Sequence, residues 1–150
     1  MSDVVLRIIA TDPAWVPTEE QSARVLAVLR SIAPMADDVT AEVLEHIAFI
    51  DSGADLATIR CPFCTADLDE IWHQWMDVDS STAFATRAHT TPCCEREVQL
   101  EGLAYEAPCG FARFLLEARN AGIGRSLNIA ETARIEEALG HAIREIHARL

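Results

Sequence analysis

The chain has 150 residues, half of them hydrophobic, and a formal net charge of −12. That length and apolar content fit about one domain with a real core, and they exclude a disordered polypeptide. All twelve basic residues are arginine, and so acidic a chain repels nucleic-acid phosphate and suits a basic protein partner instead.

No stretch reaches the roughly 18 consecutive apolar residues that a membrane span needs. Met1-Ser2-Asp3 lacks the basic start of a signal peptide. The expected compartment is the cytosol, which is reducing. There, paired cysteines serve metal binding or catalysis more often than disulfides.

In chain order, the β-branched run Val4–Ile9 predicts a strand, and the two prolines of Thr11–Pro17 a loop. Thr18 and Gln21 form a capping box ahead of a helix with Val25, Leu26, Val28, Leu29 and Ile32 on one face. Pro34 stops it. Val43–Ile50 and Leu56–Arg60 read as two further strands. The turn cluster Asp51–Asp55 between them predicts a hairpin that delivers Cys61. Asp67 and Glu70 form a second capping pair. The helix behind it sets Leu68, Ile71, Trp72, Trp75 and Met76 on one buried stripe. Asp77, Asp79, Ser80 and Ser81 read as a solvated loop.

Farther on, Glu95–Leu103 alternates charged and apolar residues, so a half-buried strand with Val98 and Leu100 inward is expected. Pro108-Cys109-Gly110 is a turn. Phe111–Ala118 fits a strand or a short helix, and Asn120–Gly124 a loop. Asn128 with Glu131 caps a last helix, whose stripe is Ile135, Leu139, Ala142, Ile143 and Ile146. His141 and His147 are expected to face solvent. The sum is a single α+β domain over residues 1–150, with a mainly antiparallel sheet, about three helices and an embedded cysteine knot.

That knot carries the chemistry. Four of the five cysteines lie in Cys61-Pro62-Phe63-Cys64 and Thr90-Thr91-Pro92-Cys93-Cys94, with 28 residues between Cys64 and Cys93. A Cys-x-x-Cys turn offers two sulfurs to one ion, and a second pair closes a tetrahedron of soft ligands. Cys61, Cys64, Cys93 and Cys94 are therefore the expected ligands of one Zn2+. Adjacent cysteines in an extended chain point opposite ways, so Cys93 and Cys94 share an ion only across a kinked turn. Otherwise His89, His73 or Cys109 completes the set.

Over residues 58–98 the layout resembles that of zinc ribbons and small bacterial zinc-binding proteins. It departs from them in closing with adjacent cysteines rather than a second Cys-x-x-Cys. A closed four-thiolate site is structural, with no open position for a water. Strand, CPFC and helix also resemble a glutaredoxin-type active site, in which Cys61 and Cys64 would be the redox dithiol.

Phosphate loops and hydrolase motifs are absent from the sequence. The leading expectation is a zinc-stabilised, non-enzymatic cytosolic protein that binds a basic protein partner through an acidic surface. In charge and size it resembles immunity or antitoxin-type proteins; an accessory subunit is the related possibility. Glu131, Glu136, Glu137 and Glu145 are the expected contact carboxylates, and nucleic acid is not an expected partner. The rival is a thiol–disulfide oxidoreductase working through Cys61 and Cys64.

Overall fold

The computed structural model describes residues 3–53 and 58–150. Its elements are β1 (Val4–Ala10), α1 (Glu19–Ile32), β2 (Asp38–Ile50), β3 (Ile59–Arg60), α2 (Asp69–Ser80), β4 (Ala88–Thr90), β5 (Glu97–Gln99), β6 (Ala104–Tyr105), β7 (Gly110–Arg119), α3 (Ile129–Leu139) and β8 (Ile143–Arg149). Four strands form one antiparallel sheet in the order β2-β7-β1-β8. α1 therefore joins two parallel strands, β1 and β2, with β7 inserted between them. α3 joins β7 and β8 around β1 in the same way. This is the doubled split β-α-β arrangement of ferredoxin-like topology. The expected α+β class with a mainly antiparallel sheet is the one observed.

The two helices cover one face of the sheet. Val25 and Leu29 of α1 meet Ile135 and Leu139 of α3 over Leu6, Ile8, Phe114 and Leu116, all of them buried. Each such side chain contributes about 1.5–3 kcal/mol on leaving water. Both helices start at the expected capping boxes. Thr18 Oγ1 accepts from Gln21 N at 3.1 Å while Gln21 Oε1 accepts from Thr18 N at 2.8 Å, and Asn128 and Glu131 make the same exchange.

The far end of the β2–β7 pair leaves this sheet. The pairing is bulged between Val43 and Ala48, and beyond it Ile50 and Ala112 pack on Ile9 and Ile146. Arg7 Nη1 donates to Asp51 O at 2.7 Å and its Nε to Glu117 at 3.0 Å, which ties the strand end to β1. Phe49 and Phe111 then enter a second apolar cluster with Ile59, Cys61, Leu68, Trp72, Trp75, Val98, Leu100 and Leu103. This second cluster carries the cysteines.

Several sequence expectations are corrected. The last helix ends at Leu139, because Gly140 takes the left-handed conformation at φ +79° and donates to Glu136 O at 2.7 Å. Ile143–Arg149 is a strand paired with β1. β2 begins at Asp38 and pairs with β7 rather than forming a hairpin with β3, and Ile59–Arg60 pairs with Ala104–Tyr105. The middle of the expected turn-and-strand stretch 51–60, residues 54–57, lies outside the described residues. The strand after the second cysteine pair is shorter than expected and runs into a 3-10 turn at Leu100–Gly102. Val98 and Leu100 do point inward.

Candidate metal centre

Two short antiparallel pairs present the cysteines. β3, held by β6, ends at Cys61. The chain reverses there, with Thr65 N donating to Cys61 O at 3.0 Å and Cys61 N to Ala66 O at 2.9 Å. β4 and β5 flank the second turn, in register through His89 and Val98. That turn is closed by Glu95 N donating to Thr91 O, and Thr91 N to Arg96 O, both at 2.9 Å. Glu95 has φ +56°, a left-handed residue that closes the turn behind Cys94.

The four sulfurs of Cys61, Cys64, Cys93 and Cys94 all lie within 4.8 Å of one another. Cys61 Sγ and Cys94 Sγ are 3.7 Å apart, and Cys93 Sγ and Cys94 Sγ 4.0 Å. A metal–sulfur bond of about 2.3 Å sets tetrahedral sulfurs about 3.8 Å apart, so the spacing fits a four-thiolate metal site. All five cysteines are free thiols rather than disulfides.

Four thiols so close cannot ionise independently. Burial pushes the Cys61 thiol up, but backbone amides of Cys64 and Phe63 and the neighbouring thiols of Cys93 and Cys64 outweigh it and draw it down to about 6. Phe63 N donates to Cys61 Sγ at 3.4 Å. Cys93 is pushed up to about 12, by loss of water around a sulfur crowded against others and by protons shared with Cys64, Cys61 and Cys94. The Cys61 proton leaves easily while that of Cys93 is held back, and a bound cation would displace thiol protons.

The cluster rests on a dry floor. Trp72 and Trp75 are buried, as core packing of the helix stripe required. Trp72 Nε1 donates to Tyr105 Oη at 3.1 Å, and Tyr105 Oη to Leu100 O at 2.7 Å. α2 starts differently from the expectation. Leu68 is the N-cap and offers no side-chain bond, while Asp69 Oδ1 accepts from Ile59 N at 2.8 Å and ties the helix to β3.

The expected solvated loop at residues 77–81 is instead the end of α2. Asp79 is buried and its Oδ2 lies 2.5 Å from His89 Nε2. The His89 ring stacks on Trp75 with centroids 4.5 Å apart. A carboxylate at this depth needs such a partner, and no spacing in the chain signals that these two residues meet.

The other proposed ligands lie outside the cluster. His89 is paired with Asp79, and His73 is exposed on α2 beside Trp72. Cys109 is buried at the turn before β7. Among the described residues, the one group of ligand atoms close enough to hold an ion is the four-cysteine set.

The expected acidic face on the last helix is also corrected. Glu131 caps α3 and pairs with Arg125, Glu136 accepts from Ile143 N at 3.1 Å, and Glu145 lies in β8 and accepts from Leu127 N at 2.9 Å. Of the four, Glu137 alone remains exposed. His141 and His147 are half-buried, against Trp15 and Glu145 respectively. No helix among the described residues is long and apolar enough to cross a membrane. No protein-family model matches the chain, and no curated protein or solved structure matches it significantly.

Proposed function

We propose that the chain is a single-domain, zinc-stabilised cytosolic protein without catalytic activity, which captures a basic protein partner. The observation that carries this reading is the convergence of four cysteine sulfurs within 4.8 Å. Zn2+ is the ion that soft tetrahedral thiolates suit best, and a closed four-thiolate shell leaves no position for a reacting water. Its work is then to hold two turns 28 residues apart, so that binding energy becomes folding energy.

The partner reading rests on charge and where it is free. Among the described residues, Arg7, Arg24, Arg87, Arg119 and Arg125 are engaged with carboxylates of the chain itself. Carboxylates are exposed beside the cysteine turns, at Asp67, Glu70, Glu95 and Glu97, and outnumber the two exposed arginines there, Arg60 and Arg96. A shallow cavity of about 460 Å³ lies between Asp67, Glu70, Ile71 and Pro92. This face, rather than the last helix, is the one offered to a lysine- or arginine-rich surface. An immunity- or antitoxin-like role, or that of an accessory subunit, fits this character.

The dithiol reading has less support. Cys61, the nucleophile it needs, is 0% exposed, and the following helix begins only at Asp69. Affinity capture from the source cell at low and high salt tests the proposal. Salt-sensitive recovery of a basic protein is expected, because complementary fields steer encounter. Recovery of nucleic acid would overturn it, and a mixed disulfide on Cys61 would favour the oxidoreductase.

A further inference from the structure

The two cysteine turns are copies of each other, offset by 30 positions, and the copy is imperfect in an informative way. Cys61-Pro62-Phe63-Cys64-Thr65-Ala66 aligns with Thr91-Pro92-Cys93-Cys94-Glu95-Arg96. Each turn has proline second. Each closes with the fifth residue's amide donating to the first residue's carbonyl, and the first residue's amide donating to the sixth residue's carbonyl. Each fifth residue is left-handed, at φ +65° for Thr65 and +56° for Glu95.

Slot by slot, Cys64 matches Cys94. Cys61 matches Thr91, and both are 0% exposed. Cys93 matches Phe63, and both are exposed, Phe63 at 47%. The second turn thus carries a hydroxyl where the first carries its buried sulfur. Thr91 Oγ1 lies 3.3 Å from Cys94 Sγ and accepts from Arg96 N at 3.0 Å. The fourth sulfur reaches the cluster from the outward-facing slot.

From this we infer that Cys93 is a displaceable ligand and a site of reversible modification by low-molecular-weight disulfides, with the metal retained. The inference rests on the metal reading above. Cys61, Cys64 and Cys94 occupy the three slots whose backbone is built to aim at the ion. When Cys93 leaves, the Thr91 hydroxyl stands at the turn position that Cys61 fills in the first turn, 3.3 Å from Cys94 Sγ. Cys64, though also exposed, has no such substitute.

The step is thiol–disulfide exchange. The Cys93 thiolate attacks one sulfur of the incoming disulfide, a new S–S bond forms to Cys93, the old S–S bond breaks, and the other half leaves as a thiolate. The Cys93 sulfur is oxidised and the departing thiol is the reduced product. A free thiol in excess reverses the exchange.

The test uses the zinc-loaded full chain and oxidised glutathione, with peptide mass spectrometry for the site and a metallochromic indicator for released zinc. Cys93 should be glutathionylated first, with one zinc per chain retained. Cys93→Ser should keep its zinc through gel filtration and lose the fast reaction, whereas Cys94→Ser should lose the zinc. Thr91→Val should hold zinc until Cys93 is modified and then release it. Zinc leaving in step with the first modified cysteine, first reaction at Cys64, or an empty Cys93→Ser protein would overturn this proposal alone. A chain that takes up no zinc would overturn the metal reading with it.

Discussion

Phe111 joins the two halves of the molecule, and its truncation separates what each half contributes. It is 2% exposed at the start of β7, with its ring centroid 5.2 Å from that of Phe49 and 5.3 Å from that of Phe84. Truncating a buried phenylalanine to alanine costs about 3–5 kcal/mol, in lost transfer energy plus the cavity left behind. In a chain of 150 residues each kcal/mol moves Tm by about 2–4 °C, so Phe111→Ala should lower Tm by about 6–20 °C. The cavity opens beside Phe49 and Phe84, within the apolar cluster that also holds Cys61. Local opening there should speed removal of zinc by a chelator well below Tm. Phe114→Ala is the control. Phe114 is just as buried but faces α1 and α3, so it should lower Tm comparably and leave the rate of metal loss unchanged. Calorimetry and a chelator time course read both quantities. Equal acceleration of metal loss in the two variants would refute the reasoning, as would a Tm change below about 2 °C for Phe111→Ala.

Cys61→Ser and Cys94→Ser should each lower Tm and increase proteolysis far more than Cys109→Ala, since only the first two remove a ligand; equal effects at all three positions would contradict this. Ligand thiols must shed protons, so zinc affinity should fall as pH falls, and competition with a chelator at two pH values reads it. Burial pushes the Cys109 thiol up to about 12 against the pull of Arg144, so Cys109 should resist iodoacetamide in the native protein and react only on unfolding. Gly140→Ala forces an L side chain into a left-handed cap at φ +79°, with its Cβ 2.9 Å from Gln21 Nε2, and should cost roughly 1–2 kcal/mol in a urea titration.

What was legible in the sequence was local. The capping boxes of α1 and α3 and the buried stripe of α2 lie within a few turns of chain, and they emerged as expected. The spacing of Cys61, Cys64, Cys93 and Cys94 marked the gathered set, because the turns that present them are short and self-contained. Non-local pairing was not legible. β2 pairs with β7 about sixty residues later, and nothing in Asp38–Ile50 says so. β8 was hidden for another reason. Ile143 and Ile146 continue the helical spacing of Ile135 and Leu139, and the stop signal was Gly140 alone. Asp79, at the end of α2, looked like a solvated acid because its partner, His89, arrives from strand β4. Glu131, Glu136 and Glu145 looked like free surface charge, while the carboxylate of each accepts from an amide of the chain. The slot occupied by Thr91 was open to reading, since Thr-Pro-Cys-Cys set beneath Cys-Pro-Phe-Cys aligns the two prolines.

The most direct test of the metal centre is metal content per chain, measured by elemental analysis on protein purified without chelator, beside a native thiol titration. One zinc per chain is expected, released only as Cys61, Cys64 or Cys94 is blocked or the thiols are acidified, with Cys61 and Cys94 protected while the metal is bound. Metal-free protein that keeps its fold, takes up no added zinc, and titrates Cys64, Cys93 and Cys94 rapidly in the native state would contradict it.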